Sequence, residues 1–253
     1  MIGKEYIRDV EGADTAVLFL HGFMSTPNEF LDFLPLVPKE FTLHNILLDG
    51  HCKGVLDFAK SSMKKWEAQA EEAFSQLAKT HENIIVVGHS MGSLLALSLT
   101  LKHTEKVVLP FLVNTPLTPR CTFKFACNAM RVIFSKVRPD HPDEVAASET
   151  YGVTPDKRLW LYLSWIPRFR ELFIKAKNTI EQLPLLKSKC IAFQSVHDEL
   201  VSNRSEEILR QNPNIKTFTF KESTHYLYNE DEKQYMLKVF ERECKKLRKV
   251  NAA

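Results

Sequence analysis

The chain has 253 residues, which is long enough for one large domain and short for two independent ones. Its 34 basic and 31 acidic residues give a net charge of only +3, which argues against nucleic acid as a partner. Hydrophobic residues make up 44% of the sequence, but no apolar run reaches the roughly 18 residues that a membrane-spanning helix needs.

The cysteine content and the N-terminal residues indicate the cellular compartment to expect for this protein. Five cysteines occur, an odd number, with no CxxC pair and no spacing typical of a metal site. The opening residues, Met1-Ile2-Gly3-Lys4-Glu5, carry charges and lack the apolar stretch of a signal peptide. We therefore expect a protein of a reducing compartment, the cytoplasm, and the sequence leaves its oligomeric state open.

Short apolar runs bounded by turn residues predict strands along the chain. These runs are residues 16–20, 46–48, 84–87, 107–113, 190–193 and 215–220. The run 215–220 alternates between apolar and polar residues, whereas the others are too continuously apolar for a half-exposed sheet and suit parallel strands covered on both faces. Helical spacing of apolar residues predicts helices at about 62–80 and 94–101, and a last helix with Met236, Phe240 and Cys244 on one face. The alternation indicates an α/β fold with a doubly wound, mostly parallel sheet.

Residues 117–178 interrupt this alternation. The segment contains five prolines with helix-compatible stretches between them, and its eleven basic and six acidic residues give it a balance of +5. We interpret it as a helical cap inserted into a core made of residues 1–116 and 179–253. Loops at the carboxyl ends of parallel strands build binding sites, so the cap is expected to lie over the active site.

A GxSxG motif, Gly88-His89-Ser90-Met91-Gly92, follows one of the predicted strands and precedes a helical pattern. Five residues are a weak pattern, but the strand–turn–helix setting is the one in which a nucleophilic serine is presented. The motif predicts that Ser90 is the nucleophile, on a strained turn at the positive end of the next helix. The alternative is a serine that only caps the helix. His89 is expected to have a packing role, because adjacent residues on a sharp turn point in different directions.

A serine nucleophile needs a base, and the base needs an acid to orient it. In this arrangement the acid and then the histidine follow the serine along the chain. His225, after the last predicted strand, is the only histidine beyond position 197, and it is the candidate base. Asp198 follows the preceding strand and is the candidate acid, with its neighbour Glu199 as the alternative.

Two backbone N–H groups are expected to bind the negative charge that develops on the substrate carbonyl oxygen. One belongs to Met91, directly after the nucleophile. The other is assigned to Phe23, in the stretch His21-Gly22-Phe23-Met24 that follows the first predicted strand. The alternative is that Gly22 only makes a tight turn, although the stretch could do both.

Together with Asp49-Gly50-His51-Cys52-Lys53-Gly54, these motifs resemble the carboxylesterase and monoacylglycerol-lipase branch of the α/β hydrolases. Cys52 departs from the glycine that usually ends the Gly-His-Gly motif of that branch. The resemblance implies an α/β-hydrolase fold and an enzyme that cleaves carboxylic esters through an acyl-enzyme on Ser90. It also implies that no metal and no organic cofactor is needed, but it does not fix the substrate. The leading hypothesis is a small acyl ester of short to medium chain length, with monoacylglycerols among the candidates.

Two other functions stay open at this stage. A thioesterase or an amidase would use the same three residues, and a non-catalytic binding protein can retain the fold. The complete set of serine, acid and histidine favours an enzyme over a binding protein. The aromatic residues of the predicted cap suit either core packing or an acyl pocket.

Overall fold

The structure, a computed structural model, describes residues 3–250. Its seven strands are β1 (Tyr6–Arg8), β2 (Thr15–Leu20), β3 (Thr42–Ile46), β4 (Asn83–His89), β5 (Val107–Val113), β6 (Cys190–Ser195) and β7 (Ile215–Phe220). They form one sheet in the order β1-β3-β2-β4-β5-β6-β7, in which all neighbours are parallel except β1 and β3. This confirms the predicted fold class.

Eight α-helices accompany the strands in the described part of the chain. They are α1 (Val55–Ala59), α2 (Met63–Ala78), α3 (Met91–Lys102), α4 (Phe123–Ile133), α5 (Pro142–Thr150), α6 (Ile166–Gln182), α7 (Arg204–Leu209) and α8 (Glu230–Val250). Short 3-10 helices cover Pro27–Phe30, Leu34–Leu36, Leu159–Trp165 and Leu183–Leu185. Helices α2, α3 and α8 confirm the three predicted helices. Within residues 3–250, no helix combines the length and the apolar character needed to cross a membrane.

Both faces of the sheet are covered, which explains the continuous apolar runs. On β2, Leu18 contributes to one hydrophobic cluster, which includes residues of α2 and α3. Its neighbour Phe19 contributes to the other cluster, where it packs near Phe240 of α8 at 6.1 Å between ring centroids. Successive residues of a strand point to opposite faces, so a strand covered on both sides has no position that faces solvent and is mostly apolar.

The strand predicted at 46–48 was wrong, because β3 ends at Ile46 where that run begins. The strand contains polar residues whose groups are bonded in the core, so its sequence does not look apolar. The Asn45 amide donates to the carbonyl oxygen of Pro27 at 2.8 Å, and Thr42 Oγ1 lies 2.8 Å from His81 Nε2. The antiparallel edge strand β1 was not predicted, since it has only three residues and Ile7 is 52% exposed.

The intervening segment, residues 117–178, lies between β5 and β6 and contributes α4, α5 and most of α6. The Trp165 indole donates to the carbonyl oxygen of Val55 at 2.8 Å, and Lys175 of α6 pairs with Glu67 of α2. The division into a core of residues 1–116 and 179–253 with an inserted cap stays a prediction. Residues 1–2 and 251–253 of that division lie outside the described residues.

The order of the strands positions the site. From β2 the chain passes to β3 on one side, and β4 then pairs with the opposite side of β2. At such a switch point the loops after neighbouring strands diverge and leave a crevice at the carboxyl end of the sheet. The loops after β2 and β4 carry Gly22 and Ser90.

Candidate active site

Ser90 occupies a strained turn between β4 and α3. Its backbone has φ 51° and ψ −123°, a region that residues with a side chain rarely adopt. Two main-chain hydrogen bonds maintain it: the Ser90 N–H donates to Val113 O, and the Ser93 N–H donates to Ser90 O, both at 2.9 Å. The motif therefore forms the turn that the sequence predicts.

The two glycines of the motif are required by close main-chain contacts. A Cβ on Gly92 would lie 1.8 Å from the carbonyl oxygen of Leu20, and a Cβ on Gly88 would lie 2.4 Å from Gly92 O. Gly22 approaches Ser90 itself, because a Cβ on Gly22 would lie 3.1 Å from Cβ of Ser90. Glycine allows these approaches because it has no side chain. The loop after β2 thus lies directly against Ser90.

His225 and Asp198 form a buried pair at the ends of β7 and β6. His225 Nδ1 lies 2.7 Å from Oδ2 of Asp198, while Oδ1 accepts the N–H groups of Leu200 and Val201, also at 2.7 Å. Burial lowers the pKa of His225, but the charge of Asp198 and its hydrogen bond outweigh this and raise the pKa above its ordinary value. The other ring nitrogen, Nε2, is buried and has no hydrogen-bond partner within residues 3–250.

Glu199, the alternative acid, has a different partner. Its Oε2 accepts the backbone N–H of His225 at 3.2 Å. Of the two adjacent carboxylates, Asp198 therefore contacts the imidazole ring and Glu199 contacts the main chain. Across the described residues, no group of three or more His, Cys, Asp or Glu side chains is arranged to hold a metal ion.

Phe23 lies in the loop after β2, which approaches Ser90, and Met91 directly follows Ser90. Met91 is fully buried at the first position of α3. The loop that contains Phe23 is shaped by His21, whose Nδ1 lies 3.0 Å from Gly22 O and whose Nε2 accepts the Leu48 N–H at 3.1 Å. Burial lowers the pKa of His21, which favours the neutral ring that this pattern of one donor and one acceptor requires.

Glu29 is a site residue that sequence analysis missed. Its side chain is 6% exposed, its Oε2 accepts the Gly22 N–H at 3.0 Å, and its Oε1 lies 2.9 Å from Nδ1 of His89. Burial raises the pKa of Glu29, but the adjacent His89 more than reverses this, and the pKa is lowered. Nε2 of His89 in turn lies 3.3 Å from the carbonyl oxygen of His225. This pair links the loop after β2 to the histidine loop, and nothing in its sequence context marks it.

Part of the intervening segment lies against the same loops. The Gly152 N–H donates to Met24 O at 2.6 Å, and Gly152 O accepts the Cys52 N–H at 2.7 Å. Next to this contact, the Thr154 N–H donates to Lys53 O at 2.8 Å. Cys52 has a φ of 57°, so it adopts the left-handed conformation although it is not a glycine. Cys52, which stands where the Gly-His-Gly motif has its last glycine, thus keeps a backbone conformation that glycine favours.

The aromatic residues of the intervening segment divide into two groups. Phe169 packs beside Phe23, with 5.1 Å between ring centroids, and Trp165 packs on Phe58 at 4.8 Å. Others are exposed to solvent, led by Phe123 at 86%. The first group packs on Phe23 and Phe58 in the core, and Phe23 belongs to the loop after β2 that approaches Ser90.

Comparison with known proteins identifies the family. A family model described as the alpha/beta hydrolase family matches residues 17–235. No curated protein is significantly similar to the chain in sequence. Among solved structures, a metagenome-derived lipolytic enzyme superposes with a TM-score of 0.70 at 20% identity over 98% of both chains.

Two further structures share the fold. The monoacylglycerol lipase of Paleococcus ferrophilus has a TM-score of 0.67 at 13% identity, covering 96% of this chain and 98% of its own. The thioesterase domain from the curacin biosynthetic pathway has a TM-score of 0.59 at 17% identity, covering 94% of this chain and 98% of its own. At such identities the likeness establishes the fold alone, whereas the family model spans most of the sequence. The chain belongs to the alpha/beta hydrolase family.

Proposed function

We propose that the protein is a serine hydrolase that cleaves carboxylic esters through an acyl-enzyme on Ser90. The observation that carries the proposal is the buried contact of 2.7 Å between His225 Nδ1 and Asp198, with Nε2 of the ring left without a partner in the described residues. His89, which precedes Ser90 on its strained turn, lies with its ring centroid 5.0 Å from that of His225. A buried histidine and a serine on converging loops are the arrangement that activates a hydroxyl group. A lipolytic enzyme and a monoacylglycerol lipase with the same fold add support.

In the first step, the hydroxyl proton of Ser90 passes to Nε2 of His225 while Oγ attacks the acyl carbon. Asp198 keeps the other ring proton on Nδ1 and stabilises the imidazolium ion that forms. The carbonyl oxygen becomes negatively charged, and the N–H groups of Phe23 and Met91 are proposed to bind it. One such donor contributes about 3 kcal/mol of transition-state stabilisation.

In the second step, the tetrahedral intermediate collapses and the bond to the alcohol breaks. His225 returns its proton from Nε2 to the leaving alkoxide oxygen, which leaves the acyl group on Ser90. A water molecule then gives a proton to the same nitrogen and attacks the acyl carbon. Collapse of the second intermediate releases the carboxylic acid and restores the Ser90 hydroxyl.

Residues 117–178 are proposed to act as a cap that shapes the substrate site. Their contacts with the loops after β2 and β3, through Gly152 and Thr154, support this role. Phe169 and Phe23 offer an apolar surface beside Ser90, which suits the acyl chain of a small ester such as a short- to medium-chain acyl ester or a monoacylglycerol.

Thioester hydrolysis is the second candidate. A thioesterase domain with the same fold supports it, and a serine attacks a thioester carbon by the same route. An amide would also react at that carbon. A non-catalytic binding protein is disfavoured, because such a protein has no use for both a buried histidine–carboxylate pair and a strained serine.

A fluorophosphonate probe tests the proposal, because it reacts with an activated serine. We expect labelling of the wild-type protein and of Ser98→Ala, a matched control on α3, but not of Ser90→Ala. Ser90→Ala and His225→Ala should each lower turnover of p-nitrophenyl esters by several orders of magnitude, up to about 10⁶-fold in studied triads. Folded wild-type protein that is never labelled would contradict the hydrolase assignment. Parallel rates on matched esters, thioesters and amides would identify the bond that is cleaved.

A further inference from the structure

Asn114 is a fully buried residue that the mechanism does not use. It directly follows β5 and has a φ of 48°, a left-handed conformation that asparagine tolerates better than most residues. Its backbone N–H donates to Phe193 O at 2.8 Å, which attaches the turn to β6. The position therefore has a fixed backbone and a side chain that needs partners inside the protein.

Both ends of the Asn114 amide are used, and they bind different loops. Oδ1 accepts the Ser195 N–H at 3.0 Å, at the start of the loop that contains Asp198. Nδ2 lies 3.2 Å from His225 O and 3.2 Å from the Tyr228 hydroxyl, with Thr224 O at 3.4 Å. One side chain thus joins the loop of the acid to the loop of the base.

The neighbours of Asn114 extend this connection to the nucleophile. The carbonyl oxygen of Val113 accepts the Ser90 N–H at 2.9 Å. On the other side, the Gln194 amide binds both backbone groups of Thr115, at 2.6 Å to its N–H and 3.1 Å to its carbonyl oxygen. The end of β5 therefore touches the loops of all three proposed triad residues, and Gln194 holds it rigidly against β6.

We propose that Asn114 is a positioning residue, which sets the place of His225 relative to Asp198 and Ser90. The inference rests on the proposed serine hydrolase function. Asn114 does not contact the reacting groups through its side chain; it acts through the carbonyl oxygen of His225. A buried amide whose donors and acceptor are all paired is costly to rearrange, so it fixes the loop that it binds. A displacement of about 1 Å in a catalytic group is enough to lower turnover about 100-fold.

The Asn114→Asp variant distinguishes the contact of Asn114 with the loop of the acid from its contacts with the loop of the base. Aspartate tolerates the same backbone conformation and keeps an oxygen for the Ser195 N–H. Its second oxygen replaces the N–H group that faces the carbonyl oxygens of Thr224 and His225, so both of these hydrogen bonds are lost and only the Tyr228 hydroxyl can still donate to the side chain. Asn114→Gly is the second variant, since it retains the backbone conformation without any side-chain contact.

Asn212 provides a matched control. Its buried amide also joins separate stretches of chain, with Nδ2 donating to Leu183 O at 2.8 Å and Oδ1 accepting the Asn214 N–H at 2.9 Å. It lies just before β7 at the amino end of the sheet, opposite the end that carries Ser90. Asn212→Asp thus removes a comparable donor without touching the three loops.

The measurements are kcat and KM for a p-nitrophenyl ester, the rate of fluorophosphonate labelling, and the melting temperature. We expect Asn114→Asp and Asn114→Gly to lower kcat and the labelling rate about 100-fold with KM changed less than about threefold. Asn212→Asp should lower the melting temperature and leave kcat unchanged. If folded Asn114 variants keep wild-type kcat and labelling rates, or lose no more than Asn212→Asp, the positioning role is wrong. Wild-type protein that fails to label overturns the proposed function instead, which distinguishes the two failures.

Discussion

Replacing Asp198 with asparagine tests the assignment of the acid with almost no change in volume. The two N–H groups of Leu200 and Val201 lie 2.7 Å from Oδ1, so the carbonyl oxygen of the new amide must stay on that side. Its NH₂ group then faces His225 Nδ1. Two donors cannot face each other, so Nδ1 becomes an acceptor and the ring proton moves to Nε2. That nitrogen can no longer take the proton of Ser90.

The same change of tautomer costs about 10⁴-fold in kcat in a serine protease triad. At 1.36 kcal/mol for each factor of ten, this is about 5 kcal/mol of lost transition-state stabilisation. Glu199→Gln is the matched variant, because glutamine keeps an oxygen for the His225 N–H. The expected loss of transition-state stabilisation in Glu199→Gln is the difference between a charged and a neutral hydrogen-bond acceptor. It is about 1 kcal/mol, which lowers kcat less than tenfold.

The assay is kcat for a p-nitrophenyl ester, with circular dichroism melting to show that both variants fold. We expect Asp198→Asn to be slower than Glu199→Gln by about three orders of magnitude. A larger loss in Glu199→Gln would transfer the role of the acid to Glu199. An Asp198→Asn variant that keeps more than a tenth of wild-type kcat would refute the argument from tautomers.

Two other predictions concern the turn and the histidine. Gly92→Ala should lower the free energy of unfolding in urea by about 3 kcal/mol or more, because its Cβ would lie 1.8 Å from Leu20 O. Gly54→Ala, whose Cβ meets only an Asp57 oxygen at 3.4 Å, should lose about 1 kcal/mol, and equal losses would contradict the contact. Because Asp198 raises the pKa of His225, kcat/KM should fall as pH drops through a midpoint above 6.5, where the ring becomes protonated. In Asp198→Asn the residual activity should show a lower midpoint, and an unchanged midpoint would rule out His225 as the titrating group.

Several features could be predicted because they depend on neighbouring residues. Continuous apolar runs mark strands that are buried on both faces, and the motif around Ser90 carries its own glycines. Contact between Asp198 and His225 follows from topology, since each lies beyond the carboxyl end of one of two adjacent parallel strands. The main-chain geometry of adjacent parallel strands thus leaves few alternative arrangements for the loops that follow them.

Other features depend on residues distant in sequence and could not be predicted. Asn114 bonds to His225 across 111 positions, and no periodicity or motif marks it. Glu29 resembles any surface carboxylate until the fold buries it against His89. The position of strand β3 was predicted wrongly for a related reason. Its polar residue Asn45 has its hydrogen-bond partner in a distant part of the chain, at Pro27.

The contacts of Gly152 have a consequence for how the protein can diverge. Its N–H and carbonyl groups bind Met24 and Cys52, and a Cβ on it would lie 1.9 Å from Ser25 O. Exchange of the residues around Gly152 for another sequence would therefore remove the main-chain hydrogen bonds that hold the loops after β2 and β3. By contrast, α4 and α5 are tied to each other by the ion pair between Lys124 and Asp143. Sequence change therefore has more freedom in those two helices, while the residues around Gly152 are constrained by their main-chain contacts.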